Sequence, residues 1–319
     1  MFEATRLVLY YAVSPVHMGA GSAIGAIDSP IQREVHTQHP MFAGSGLKGA
    51  LRHHFNRIWR GERGRNNAGM VNRIFGPETN ASDFAGALSL SDAQLVALPV
   101  RSLKGGFVYA TSPLALARAR RLAQLAGVES AWTVPEVAEN EVRVSQAARL
   151  SDKRLILETF EFVAHQSSSE VGPIASWLAS AVFGGDSSDF FADKLRKDLV
   201  ILSDTDFSHF ARHAMVVEPH VRINDETGTA DGGGLFYVEN LPPESIMIGL
   251  VHASIERYRA GDRDKVADRM DDAAQVLDVV LNGSGNLQGI AGKPLQIGGD
   301  ASTGRGLVLI QASGPRSGS

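Results

Sequence analysis

The stretch "SGLKGALRHHFNRIWR", Ser45 to Arg60, decides how the rest of the chain can be arranged. Its apolar residues recur at helical spacing, at Leu47, Leu51, Phe55, Ile58 and Trp59. A second face repeats every fourth residue and is polar and mostly basic, with Lys48, Arg52, Asn56 and Arg60. This spacing predicts an amphipathic helix that buries one face against a sheet and turns a basic stripe outward.

The segments at both ends of the chain predict the sheet that receives this helix. Runs rich in branched and aromatic residues indicate strands at "TRLVLYYAV" (5–13), "SIMIGLVHA" (245–253) and "GLVLIQA" (306–312). Between the last two, Val266 to Leu281 has helical spacing and ends at Asn282-Gly283. The order predicts an α+β, ferredoxin-like βαββαβ core with large insertions. We expect residues 313–319 to form a disordered tail.

The middle of the chain predicts the insertions. "GALSLSDAQLVAL", "GGFVYA" and "RLILETFEF" indicate strands, and "LVIL" in the region Leu195 to Leu202 is another candidate. Helices are predicted for Pro113 to Ala126 and Ile174 to Phe183. "HVRIN" and "GLFYVEN" flank the polar "DETGTADGG" and predict a long exposed hairpin.

Composition limits the classes of protein to consider. The chain has 319 residues, of which 44% are hydrophobic, which is typical of a globular protein with a sizeable core. It has no cysteine, which excludes disulfides and zinc-thiolate sites and favours a reducing compartment. No apolar run is long enough for a bilayer, and the start does not resemble a signal peptide. We therefore expect a cytoplasmic protein that does not contact a membrane.

Charge is segregated along the chain. The net charge of −4 argues against a nucleic-acid binder when it is taken alone. However, residues 46–73 carry seven Lys and Arg against one acid, Glu62, and residues 101–121 carry five with no acid. Such blocks favour contact with phosphates, although each block could equally be the solvated face of a helix.

Two loops have the composition of anion sites. "GSGLKG" places Ser45 and Gly46 at the start of the basic helix, followed by Lys48 and Arg52, so free amides and cations could face a phosphodiester backbone. Ser45 could also be an ordinary N-cap. The second loop, "GGDASTGRG" (298–306), offers backbone amides and side-chain donors at Gly299, Thr303, Gly304 and Arg305. A plain turn is the alternative for this loop.

Three longer stretches carry a family resemblance. They are "HMGAGSAIGAIDSPIQREVHTQHPMFAGSGLKGALR" (17–52), "VRINDETGTADGGGLFYVENLP" (221–242) and the terminal "GGDASTGRG". Together they resemble the backbone subunits of the type III-B CRISPR effector, the Cmr complex, within the RAMP superfamily. The resemblance covers most of the chain and is weakest over residues 80–150.

The resemblance implies a fold and a set of partners. It implies a single RAMP-type domain over residues 1–312, with a modified RNA-recognition-motif palm, inserted fingers and a thumb-like hairpin at 218–238. Copies of the chain would form a filament on the guide crRNA, alongside other Cmr subunits. The target would be single-stranded RNA that is complementary to the guide and is cut at regular intervals.

The resemblance also implies a catalytic residue. It assigns target cleavage to Asp28, which by its position before Ser29-Pro30 could otherwise simply cap a turn. A carboxylate there could accept the proton of an attacking 2′-hydroxyl, or could hold Mg²⁺ or Mn²⁺ jointly with RNA. His17 could assist as an acid or base or be structural, and Glu226 could serve a neighbouring copy or be solvated. Arg33 and Glu34 could pair with each other or hold the loop.

Two rival functions remain at this stage. The first is a filament scaffold that binds guide RNA without cutting, and the counterpart of the chain in type III-A complexes is an alternative label. The second is a phosphometabolite-binding enzyme of ferredoxin-like fold. Asp28 distinguishes a nuclease from a scaffold, because a scaffold needs the phosphate loops but does not need the carboxylate.

Overall fold

The computed structural model describes residues 2–22, 25–59, 68–78, 83–145, 149–165, 169–185, 189–258, 261, 266 and 269–314. The helices in these ranges are α1 Gly44–Ile58, α2 Ala68–Phe75, α3 Pro113–Leu125, α4 Val171–Phe183, α5 Phe190–Asp198, α6 Asp204–His213 and α7 Ala273–Leu281. The strands are β1 Ala4–Ala12, β2 Met41–Phe42, β3 Leu88–Leu90, β4 Ala93–Ser102, β5 Gly106–Thr111, β6 Glu141–Val144, β7 Arg154–Leu157, β8 Phe160–His165, β9 Leu199–Leu202, β10 Val216–Ile223, β11 Ala230–Asn240, β12 Ile246–Ala253, β13 Gly283–Ser284, β14 Leu287–Gln288, β15 Lys293–Gln296 and β16 Leu307–Ser313.

One sheet of 12 strands forms the framework of the described residues. Its centre runs β16-β1-β12-β4, and each neighbouring pair is antiparallel. With α1 following β1 and α7 following β12, this is the βαββαβ order, in which the fourth strand lies beside the first and the third lies between the first and the second. The predicted α+β, ferredoxin-like core is therefore confirmed.

The two core helices pack on the same face of the sheet. Leu47 and Phe55 of α1 are fully buried and share a hydrophobic cluster with Leu277 of α7 and with Tyr10 of β1. Gly44 allows α1 to start close to the sheet, because a Cβ atom at this position would lie 2.4 Å from the carbonyl oxygen of Leu90. The opposite face of the sheet is covered by α3 and α4, which form a second cluster.

A long insertion, residues 103–245, separates the second and third core strands. It extends the sheet through β5, β9, β6, β8 and β7, and it contains α3 to α6. At its end, β10 and β11 form a separate two-stranded antiparallel hairpin that leads directly into β12. The hairpin is therefore joined to a central strand of the core.

Several local expectations need correction. "RLILETFEF" forms two strands, β7 and β8, because the chain reverses at Glu158, whose φ is 52°. Helix α7 begins at Ala273 and not at Val266, because the Asp272 side chain caps it by accepting from the Ala274 amide. The strand candidate "LVIL" is confirmed as β9, and the residues directly before it belong to α5. Helices α2, α5 and α6 were not predicted.

The C-terminal boundary also differs from the expectation. Strand β16 continues through Ser313, which is paired with Leu7, so the predicted tail at 313–319 begins inside the sheet. Residues 315–319 lie outside the described residues. Of the helices that the structure describes, none has the length and apolar character needed to cross a membrane.

We predict that Phe55→Ala lowers the free energy of unfolding by about 3–5 kcal/mol, because it opens a cavity where α1 packs on the sheet. Leu125→Ala is the matched control, since Leu125 is 64% exposed at the end of α3, and we expect a change within about 0.5 kcal/mol. Urea denaturation measures both. Equal losses in the two variants would contradict the burial of this face of α1.

Candidate nucleic-acid interface

The free edge of β11 binds the loop that carries Asp28. The Asp28 carboxylate accepts a hydrogen bond from the Tyr237 amide at 2.7 Å. The Ser29 amide donates to the Tyr237 carbonyl at 3.1 Å, and the Glu239 amide donates to the Ser29 carbonyl at 3.0 Å. Because the other edge of β11 pairs with β10, the loop acts as a third strand of the hairpin. Asp28 itself is exposed and lies at the base of the hairpin.

A buried ion pair between Arg33 and Glu239 holds this loop in place. Arg33 donates to the Glu239 carboxylate, whose side chain is 4% exposed. The second carboxylate oxygen of Glu239 accepts from the Ile31 amide at 3.0 Å. Arg33 also donates to the carbonyls of Gln38 at 2.7 Å and of Ala211, in the last turn of α6, at 2.9 Å. One guanidinium therefore joins the loop, the hairpin and α6.

The neighbouring Glu34 is held by a different partner. Its carboxylate accepts from Arg118 of α3 at 2.8 Å and from the Thr37 hydroxyl at 2.6 Å. Burial raises the pKa of Glu34, but the hydrogen bonds from Thr37 and Arg118 and the charge of Arg118 outweigh burial, so the net shift is downward. Arg33 and Glu34 therefore hold the loop, as one of the two expectations proposed, and they do not pair with each other.

His17 lies on the same edge of β11 as Asp28. Its Nδ1 atom donates to the Glu239 carbonyl at 2.8 Å, and its own carbonyl accepts from the Gly299 amide at 2.9 Å. Since Tyr237 and Glu239 are two residues apart, the points that bind Asp28 and His17 are about 7 Å apart along the strand. Gly298 permits this approach, because a Cβ atom there would lie 2.2 Å from the His17 carbonyl oxygen.

The hairpin presents apolar side chains to solvent. Val221, Leu235 and Phe236 are 46%, 54% and 39% exposed, and the Phe236 ring stacks on His220 at a centroid distance of 5.3 Å. Glu226 is in the exposed turn at the tip, where its amide donates to the Asn224 side chain. Counting residues along β10, from Pro219 opposite Tyr237 to Asn224 before the turn, the tip that carries Glu226 lies about 17 Å from the Tyr237 amide that binds Asp28. The structure therefore does not bring these two carboxylates together.

Ser45 is not the N-cap of α1, which was the alternative to phosphate contact. The N-cap residue is Ala43, whose side chain makes no capping bond, and Ser45 lies inside the first turn. The Gly44 amide donates to the Asp92 carboxylate at 2.8 Å. Ser45 is exposed, and a groove of about 270 Å³ beside it is also lined by Lys48 and Arg257. Gly46 follows on the same turn.

Lys48 and Arg52 continue outward from this groove. Burial, followed by the charge of Arg52, lowers the pKa of Lys48. Arg52 donates to the Asn72 side chain at 2.9 Å. No acidic side chain pairs with Lys48 in the described ranges, so this cation is available to an anion.

The glycine loop is an ordered turn that closes on itself. It contains a short 3₁₀ helix, Ala301–Thr303, flanked by left-handed Asp300 and Gly304. The Thr303 hydroxyl donates to the Asp300 carbonyl at 2.8 Å, and the Gly304 amide donates to the Ala301 carbonyl. The Gly299 amide is bound to His17, as described above. Of the predicted donors, Gly299, Thr303 and Gly304 are therefore occupied within the protein.

Arg305 of this loop is also engaged. It donates to both carboxylate oxygens of Glu218 in β10, at 2.6 and 2.5 Å. The two side chains are 23% and 28% exposed. The glycine loop is thereby bound to β10, the first strand of the hairpin.

The Lys and Arg side chains of the two basic blocks differ in their partners. In the second block, Arg101 pairs with Glu158, Arg118 pairs with Glu34 and Lys104 donates to the Leu150 carbonyl. Three of the five cations of that block are thus engaged within the protein, and Arg118 is not on a solvated helix face as the alternative proposed. In the first block Arg73 pairs with buried Glu256. Arg60, Arg63 and Arg65 lie outside the described residues.

The donor set around Asp28 does not form a protein-held cation site. Throughout the described part of the chain, no group of three or more His, Asp and Glu side chains could hold a metal ion. One oxygen of Asp28 is bound to the Tyr237 amide. Asp28 could therefore supply only one ligand to a divalent cation.

Three contributors to this site could not be found from the sequence. Glu218 lies in β10 and Glu239 lies in β11, and the sequence of neither strand indicates a distant partner. The Tyr237 amide carries no side-chain signal. The pairing of the loop with β11 reveals Tyr237 and Glu239, and the ion pair with Arg305 reveals Glu218.

We predict that Arg33→Ala costs about 3–5 kcal/mol of unfolding free energy, because it leaves the Glu239 carboxylate buried and unpaired. The matched control is Arg154→Ala, whose partner is Glu161 and whose pair is 55% exposed on both sides. We expect about 0–1 kcal/mol for this exposed pair. Thermal melting gives both values, and similar losses for the two variants would refute the role of Arg33.

Known proteins resemble this chain over nearly its whole length. It is 33% identical over 306 residues to the CRISPR system Cmr endoribonuclease Cmr4 of Pyrococcus furiosus, which covers 95% of this chain and 94% of the relative. The crystal structure of oligomeric Cmr4 from Pyrococcus furiosus superposes with a TM-score of 0.70 and 26% identity, over 97% of each chain. A chain of the type III-B Cmr-beta structure bound to cognate target RNA shares the fold, with a TM-score of 0.70 and 16% identity over 98% of each chain. Residues 10–308 match the RAMP superfamily. This chain belongs to the RAMP superfamily.

Proposed function

We propose that this chain is the guide-RNA-binding backbone subunit of a type III-B CRISPR complex and that it cleaves complementary target RNA within the assembled complex. The likeness to an endoribonuclease over nearly the whole length supports this function. The observation that carries it is the attachment of Asp28 to the hairpin through the Tyr237 amide. A carboxylate and an apolar projection thereby form one unit. We infer that the complex acts in the cytoplasm.

The hairpin supplies the distortion that cleavage needs. Exposed Val221, Leu235 and Phe236 can insert between stacked bases, which trades local unstacking for apolar contacts. A nucleotide displaced in this way lies at the base of the hairpin, where Asp28 is exposed. Because the loop pairs with β11, the distance between the inserted residues and Asp28 is fixed by strand geometry.

Asp28 acts as the general base in this proposal. Its carboxylate accepts the proton of the 2′-hydroxyl, and the 2′-oxygen forms a bond to the adjacent phosphorus while the bond to the 5′-oxygen breaks. The departing 5′-oxygen takes a proton from water, which leaves a 2′,3′-cyclic phosphate and a 5′-hydroxyl. The Tyr237 amide orients the base, and His17 fixes the adjacent segment of the loop.

Any Mg²⁺ or Mn²⁺ would be held mainly by RNA, with Asp28 as its protein ligand, because the described residues offer no closed cation site. Such an ion would supply charge stabilisation at the reacting phosphate. Glu226 is too far from Asp28 in one chain to share this role, although the tip of the hairpin could reach the site of an adjacent copy.

The guide is bound at the start of α1. Ser45, Gly46, Lys48 and Arg52 offer amides and cations to the phosphodiester backbone, which carries no sequence information. Sequence recognition is thereby left to base pairing between guide and target. Several copies along one guide, beside other subunits of the complex, would place one Asp28 at each repeat.

We predict that Asp28→Asn, in the reconstituted guide complex, lowers the rate of target cleavage by about 10²–10⁴-fold, because the base is lost. The asparagine side chain can still accept from the Tyr237 amide. We therefore expect target binding to change less than about threefold, as judged by filter binding under the same conditions.

The control for this variant is Asp225→Asn, which removes an exposed carboxylate at the tip of the hairpin. It should leave both rate and binding unchanged. If Asp28→Asn continues to cut at the same positions and rate, the chain is a scaffold that binds guide RNA without cutting.

We predict that Lys48→Ala weakens guide binding and reduces the salt dependence of the affinity by about 0.7, the contribution of one phosphate contact on a single strand. Arg101→Ala is the matched control, since Arg101 is equally cationic and 70% exposed but is paired with Glu158. Fluorescence anisotropy over a series of salt concentrations measures the slopes. An unchanged slope for Lys48→Ala would remove Lys48 from the guide path.

A further inference from the structure

Two histidines share one exposed face of α6. His209 and His213 are four residues apart in this helix, and both are exposed. Residues at this spacing are neighbours on a helix surface, and the centroids of the two rings are 4.7 Å apart. Both side chains line an open pocket of about 480 Å³. The two imidazoles are therefore close together and accessible from solvent.

The distance between the rings fits a shared metal ion. An ion bound to an imidazole nitrogen lies about 2.0–2.1 Å from that atom, and so about 3.2 Å from the centre of the ring. Two centroids 4.7 Å apart then subtend an angle of about 95° at the ion. This angle lies between the roughly 90° of octahedral and the roughly 109° of tetrahedral coordination. One ion can therefore bind a nitrogen of each ring.

The surroundings hold the first ring and favour a cation at the second. The edge of the Phe160 ring packs against His209 at a centroid distance of 4.9 Å, which limits the rotation of the imidazole. His213 is the last residue of α6, where the partial negative charge of the helix end attracts cations. Binding at this position therefore stabilises the last turn of the helix.

The charged neighbours in the pocket offset each other. Asp204 and Arg212 both line it, one with each sign of charge. The Arg212 guanidinium donates to the Thr37 carbonyl at 3.4 Å, and one oxygen of Asp204 accepts from the Leu114 amide at 2.8 Å. An ion between the two rings therefore meets little net charge from the protein.

The ligand type selects the class of ion. Imidazole nitrogens suit Ni²⁺, Cu²⁺ and Zn²⁺, whereas Mg²⁺ takes oxygen ligands. Two protein ligands leave the remaining coordination positions to water. Such a site differs from a closed site of three or more side chains, and it also differs from any site for Mg²⁺ or Mn²⁺ at Asp28.

We propose that His209 and His213 together bind one late transition-metal ion, such as Ni²⁺ or Zn²⁺, and that this ion stabilises the last turn of α6. The same turn provides the Ala211 carbonyl that binds Arg33. The ion thus stabilises the end of the helix to which the loop of Asp28 is attached. This site goes beyond the proposed function and does not depend on it.

The test uses the full chain without an affinity tag, freed of metal by a chelator and titrated with Ni²⁺ in a calorimeter. We expect one ion per chain, and we expect His209→Gln and His213→Gln each to weaken binding by roughly tenfold or more, because each removes a ligand. At a hundred times the dissociation constant, Ni²⁺ should raise the melting temperature of the native chain by about 5 °C. Neither variant should show this rise. Because both residues are exposed, the variants should melt like the native chain when no metal is present.

The matched control is His53→Gln, which removes an exposed histidine of α1 and should leave Ni²⁺ binding unchanged. If this control loses as much affinity as the two α6 variants, or if those variants bind like the native chain, binding is spread over surface histidines and the site is refuted. Mg²⁺ in place of Ni²⁺ should not raise the melting temperature through this site, so an equal rise in the native chain and in His209→Gln would also refute it.

Asp28→Asn separates this site from the proposed function. It should bind Ni²⁺ like the native chain, whether or not it still cuts target RNA. If it loses the Ni²⁺ site, the ion binds at Asp28 and the assignment to α6 is wrong. If it binds Ni²⁺ normally and continues to cut, the proposed function fails while the site on α6 stands.

Discussion

The pairing of both edges of β11 is the constraint on which the site depends. One edge binds β10 and makes the hairpin, and the other edge binds His17, Asp28 and Ser29. Arg33 stabilises this arrangement from the protein interior by joining Glu239 to the end of α6. Without the pairing of the loop with β11, the hairpin would be a two-stranded projection, which is marginally stable in water. With this pairing, the position of the Asp28 carboxylate relative to the hairpin is fixed.

Charge placement explains how an acidic protein can present a surface for RNA. In the second basic block, Arg101 pairs with Glu158 at the surface and Arg118 pairs with Glu34 in the interior. In the first block, Lys48 has no acidic partner in the described ranges, and Arg57 lines a groove beside the glycine loop. Net charge therefore says little about this surface. What matters is which cations the fold leaves without a carboxylate.

The sequence predicted the core because its signals are local and periodic. The repeat of Leu47, Leu51 and Phe55 specifies α1, and the apolar terminal strands specify the sheet. Helices α5 and α6 are short and polar, so their apolar spacing was too brief to detect. The hairpin was predicted and is confirmed, and the role of Asp28 stays a prediction, whereas Arg33 and Arg305 bind partners that lie 206 and 87 residues away. Such ion pairs depend on tertiary contact and leave no local pattern.

The contact that orients Asp28 is made by a main-chain amide, and this affects how relatives of the chain should be compared. A backbone donor is supplied by any amino acid except proline, which lacks the N–H group. The side chain at position 237 is 38% exposed and can therefore vary freely while the geometry of the carboxylate stays constant. An alignment would register that position as unremarkable. The only sign of its contribution would be the absence of proline at this position.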